Sequence, residues 1–83
     1  MTKNIQNIST GTSPVITTTE ENIFQVGDTV VLSSTNSTPD VNGEYIVTSI
    51  LSSTEFQIQP GFDVTSQGDT GEVFRHNDIN LTA

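Results

Sequence analysis

The sequence predicts an all-β fold: a small five-stranded SH3-like barrel with extended N- and C-terminal arms. Three observations carry this. β-branched residues gather in short runs such as "PVITTT", "TVVLSS" and "EYIVTSI". Turn formers separate the runs, among them Gly27-Asp28, Asn42-Gly43 and Pro60-Gly61. No stretch combines helical spacing of apolar residues with caps and good helix formers. Short strands punctuated this way build sandwiches or barrels. Five of them in 83 residues favour a small barrel, which leaves fewer open edges than a flat sheet. The implied organisation is an N-terminal arm over 1–13, a barrel over 14–75 and a tail over 76–83.

Each element has its own signal. The segment 1–13 is polar, with Ile5 and Ile8 as its large apolar residues, and reads as an extended arm. "PVITTT" (Pro14 to Thr19) is the first strand. "EENIFQVGD" places Ile23, Phe24 and Val26 in a connection, so that loop is expected to fold over one end of the barrel. Gly27-Asp28 turns the chain into "TVVLSS", where Val30 and Leu32 share one face. "TNSTPD" is a loop of turn formers, and Asn42-Gly43 opens the third strand. In that strand Tyr45 and Val47 lie on one face, and Ile46, Thr48 and Ile50 on the other. Apolar residues on both faces mark it as the most buried strand. "EFQIQ" alternates cleanly, with Phe56 and Ile58 inward. "FDVTSQGDTG" is a longer excursion, and "EVFR" closes the sheet. The expected core is Val30, Leu32, Tyr45, Val47, Phe56, Ile58 and Val73.

Composition narrows the function. Net charge is −8 with only two basic residues, Lys3 and Arg75. Binding a nucleic-acid backbone needs Lys and Arg to displace counterions, so nucleic acid is excluded as a partner. Anionic membrane surfaces are excluded on the same ground. The N-terminal residues lack the apolar core of a signal peptide, and no apolar run approaches the length of a membrane span. Cysteine is absent, which removes disulfides and thiolate zinc sites. A domain of this size has little surplus stability, so partners are the favoured support. The acidic surface suits a basic or mixed-charge protein.

One resemblance goes further than composition. The order "VGDTVVL", "STPDVNGEYIVTSI", "SSTEFQI" resembles a recurrent β module of virion structural proteins from bacteriophages and giant viruses. It is similar to the small barrel family named after the first catalytic-cysteine half-domain of ubiquitin-activating enzymes. The match runs in order from Val15 to Ile58, and "TGEVFR" fits the closing strand. Many such modules have His-Gly ahead of the "VGD", where this chain has Glu21-Asn22, and the module commonly sits in longer proteins. The resemblance implies a barrel fold, a virion location and no reaction. It points to a capsid decoration (cement) or minor capsid protein that binds the major capsid protein, or other virion proteins, as a homo-oligomer or multi-copy lattice. Tail, baseplate or head–tail connector roles are the alternative, as is a stand-alone glycan- or receptor-binding module.

No residue is assigned as catalytic, cofactor-binding or metal-ligating. His76 is the lone histidine, with Asp78 nearby, and reads as solvated. Asp63 and Asp69 flank a Gly-containing loop without EF-hand spacing, and Asp at turns serves the backbone first. The polar loop 34–42 lacks the exposed aromatics of a sugar platform. The residues expected to contact a partner are Ile5 and Ile8 in the arm and Ile79 and Leu81 in the tail.

Overall fold

A computed structural model describes residues 2–76 of the chain. It contains six strands: β1 (Thr2–Ile8), β2 (Val15–Thr18), β3 (Thr29–Ser33), β4 (Gly43–Ile50), β5 (Glu55–Ile58) and β6 (Glu72–Arg75). They close into an antiparallel barrel in the order β1-β2-β5-β4-β3-β6. Strands β2 to β6 coincide with the five runs read from the sequence. The sixth strand, β1, comes from the segment expected to be an arm.

That correction has a definite cause. Ile5 and Ile8 are three residues apart, and strict alternation would point them to opposite faces. The ladder between β1 and β2 pairs Ile5 with Thr18 and Ile8 with Ile16, so three steps on β1 oppose two on β2. The extra residue is a β-bulge, which restores both isoleucines to the inward face. Ile5 is 4% and Ile8 0% exposed, so neither side chain is available to a partner. β1 also pairs through Thr2, Lys3 and Asn4 with β6, leaving neither β2 nor β6 with an open edge. Ile79 and Leu81 lie outside the described residues.

The core is Ile5, Ile8, Ile16, Phe24, Val30, Leu32, Val41, Val47, Phe56, Ile58, Val64 and Val73. Tyr45, expected inside, is half-buried and packs against this cluster. Loops plug both ends of the barrel. Phe24 closes the end formed by the 19–28 loop and the β4–β5 turn. At the other end, Val41 and Val64 come from the 34–42 and 59–71 loops, and both are buried. The 59–71 excursion is bound to the barrel: Ile5 N donates to Gly71 O at 2.8 Å and Ile8 N to Gly68 O at 2.8 Å.

Strand β4 departs from the expected pattern. Val47 pairs with Ile58 and Ser49 with Gln57, a second bulge. Beyond it Ile50 lies opposite Phe56, so Ile46 and Ile50 do not share a face as expected. Nor is the strand buried on both sides. Ile46 is 51% exposed, so the expected second buried face is outer surface.

Candidate functional site

The two ends of the barrel differ in chemistry. At the end plugged by Val41 and Val64, polar side chains turn inward on the loops themselves. Asn36 Oδ1 accepts from Asp69 N at 2.8 Å and Thr70 N at 3.2 Å, while its Nδ2 donates to Asp69 Oδ1 at 2.8 Å. Thr35 donates through N and Oγ1 to Asn42 Oδ1, and Thr35 Oγ1 accepts from Val41 N. Thr65 Oγ1 donates to Thr38 O at 3.0 Å. These bonds staple the 34–42 loop to the excursion, and their groups are committed within the fold. Tyr45 OH donates to Asn42 O at 3.2 Å. Partial burial, and then the charge of Asp40, hold its phenol above the usual range.

Asp69, one of the two carboxylates that flank the excursion, is therefore tied to Asn36. Among the described residues no three His, Asp or Glu side chains gather as metal ligands. His76 Nε2 lies 3.2 Å from Glu44 Oε2, and both side chains are well exposed. Asp78, considered with His76 from the sequence, is outside the described residues. Among the described residues no helix is long and apolar enough to cross a membrane.

The opposite end carries apolar surface. The 19–28 loop is held to β4 and the β4–β5 turn by two backbone bonds, Gly27 N to Val47 O and Asn22 N to Ser53 O, both 2.9 Å. The turn beneath it is fixed by Asp28 Oδ2, which accepts from Gln25 N at 2.9 Å. Ile23 and Val26 on this loop share the barrel end with Ile50 and Leu51, at the end of β4 and in the turn after it. All four are exposed, Val26 by 62%. Ile46 is exposed on the outer face of β4, the opposite face of the strand from Ile50. There a shallow groove of about 650 Å³ runs past Thr29, Glu44, Ile46, Thr48, Gln59 and Pro60.

This region is also charged. Glu20, Glu21 and Asp28 lie in the 19–28 loop, Glu55 opens β5 and Glu44 lies two residues before Ile46. Lys3 Nζ sits 3.9 Å from Glu20 and Arg75 NH1 3.8 Å from Asp28, so both basic side chains of the protein face carboxylates. This end of the barrel thus combines exposed apolar residues with an excess of acidic over basic side chains.

The sequence reading placed the contact residues in the terminal segments and missed this surface. Its signals were present: three apolar residues in the "NIFQV" connection and apolar residues on both faces of "EYIVTSI". Both were read as interior. Only Phe24 of the connection is buried. No protein-family model matches the chain, and no curated protein matches it.

Proposed function

We propose that this chain is a non-enzymatic virion structural protein, a capsid decoration (cement) or minor capsid protein that attaches by protein–protein contacts. The observation that supports a binding role is the exposure of Ile23, Val26, Ile50 and Leu51 at one end, and of Ile46 on the outer face of β4, on an otherwise polar, closed barrel. Scattered single apolar residues are normal on a surface. Several large apolar residues exposed toward one end of a small polar domain are characteristic of contact sites. The similarity of "VGDTVVL" and "VNGEYIVTSI" to virion barrel modules supplies the setting. Repeated weak contacts on a symmetric shell add up through multivalency, so a small domain with a modest interface suffices. Loop 34–42 has its amides and hydroxyls engaged internally, which disfavours a glycan-binding role for it.

Quantitative mass spectrometry of purified particles tests this reading. The expected result is many copies per particle, retained through density-gradient purification. Absence from the particle overturns it.

A further inference from the structure

We infer that the barrel end formed by the 19–28 loop and the β4–β5 turn, with the outer face of β4, docks a protein partner that presents apolar side chains ringed by Lys and Arg. The inference rests on the binding role proposed above and names its surface and the chemistry of its partner.

The apolar part is given by exposure. Leu51 is 52% and Ile23 56% exposed, although Phe24, next to Ile23 in the chain, is buried against Phe56. The loop thus keeps one anchor for itself and turns the others outward. The surface is also held in place: the Gly27–Val47 backbone bond ties the loop to β4 and the Asn22–Ser53 bond ties it to the β4–β5 turn. A pre-ordered surface loses little conformational entropy on binding.

Charge selects the partner. Glu20, Glu21, Asp28 and Glu55 lie at this end and Glu44 lies on β4, while the protein has only two Lys or Arg side chains. Both are drawn onto carboxylates at this same end, Lys3 onto Glu20 and Arg75 onto Asp28. A second copy is a poor occupant. A symmetric pair would set Glu21 and Glu55 against carboxylates of the copy, with a charge of −8 on each chain. A partner rimmed by Lys and Arg meets the same carboxylates favourably and is steered toward them.

Site-specific photo-cross-linking in the producing cells tests the inference. The cross-linker p-benzoylphenylalanine replaces Thr48, which is exposed on the outer face of β4. A control carries it at Thr12, exposed in the loop at the opposite end. The expected product arises from position 48 and not from position 12. It joins the chain to a different protein, at a segment with Lys or Arg beside apolar residues. Ile46→Ser combined with Leu51→Ser should reduce the yield about tenfold or more, the effect of roughly 1.4 kcal/mol or more in affinity. The thermal melt of that variant should stay unchanged, since both residues are surface-exposed. Yield should also fall as NaCl rises from about 50 to 500 mM, because salt screens exposed charges.

No product from position 48, equal products from both positions, a product with a second copy, or attachment at an acidic segment each overturns the inference. A salt-independent yield overturns its charged rim. The virion reading fails separately. A basic partner absent from particles keeps this surface and sinks the virion role. A particle protein cross-linked only through position 12 keeps the virion role and sinks this surface.

Discussion

Phe24 and Phe56 meet edge to face, with ring centroids 5.3 Å apart and planes at 79°. One ring comes from a loop and the other from the middle of a strand. Their contact seals the barrel end and fixes the loop that carries Ile23 and Val26. Edge-to-face pairs add about 0.5–1.5 kcal/mol beyond the area they bury. Phe56 is fully buried, so Phe56→Ala should destabilise the fold by about 3–5 kcal/mol. Phe24→Leu should cost less and should loosen the loop. Urea denaturation of both variants, with hydrogen exchange at Asn22 and Gly27, checks this. A wild-type midpoint for Phe56→Ala would disprove the inward face of β5.

The N-terminal strand is structural. Ile8→Ala should destabilise by about 2–5 kcal/mol, as a fully buried isoleucine does. Deleting 1–8 removes a whole strand and opens both β2 and β6. The deletion variant should lose cooperative unfolding and bind hydrophobic dyes. A truncated protein that melts like the full chain would mean that β1 is dispensable.

Gly71 has φ +132°, a conformation that L side chains rarely adopt. A Cβ there would also come within 3.0 Å of Ser33 O and 3.2 Å of Ile5 Cδ1. Gly71→Ala should therefore destabilise by about 1–3 kcal/mol or more. Gly61 is also in the left-handed region but has open space around it. Gly61→Ala should cost less than Gly71→Ala. Parallel melting curves decide, and an equal loss at the two sites would contradict the close packing of Gly71 on β1.

Tyr45 gives stability a dependence on alkaline pH. Burial and then Asp40 raise its pKa above 10.0 in the folded chain. Below the unfolded value both states are protonated, and Tyr45 adds no pH dependence. Above it the unfolded chain loses the proton first, so the native state binds more protons and stability falls as pH rises. Tyr45→Phe should flatten that alkaline loss. At neutral pH it should cost about 0.5–1.5 kcal/mol, for the bond to Asn42 O. Because the protein has one tyrosine, tyrosinate absorbance of the folded protein reports this group alone. A midpoint at or below 10 would contradict the burial of the ring.

The elements that followed a single simple rule were legible in the sequence. β5 alternates without a break, and β3 sets Val30 and Leu32 on one face, so both strands and their inward residues were read correctly. The segments misread were those where a bulge alters the period. In β1 the extra residue turns a spacing of three into one inward face, and a strand looked like an arm. In β4 Ile46 faces outward by plain alternation and looked buried because both faces carry apolar residues, while the bulge after Val47 turns Ile50 to the other face. Spacing alone does not reveal a bulge, because the partner strand determines it. The candidate site was less legible for the same reason. Its residues belong to a loop, a strand end and a turn that only the closed barrel brings together.

The pairing of Thr2 with Phe74 has a consequence for biosynthesis. The first of the six strands to leave the ribosome takes as its neighbour the last of the six. Until β6 emerges, β1 can pair only with β2, and Ile5 remains uncovered on its Gly71 side. The hairpins β3–β4 and β4–β5 can form meanwhile, because their contacts are local, whereas closure awaits a contact spanning nearly the whole described chain. A nascent chain stalled just short of Glu72 would therefore expose apolar side chains that the finished barrel hides. That is the stage at which a chaperone would find something to hold.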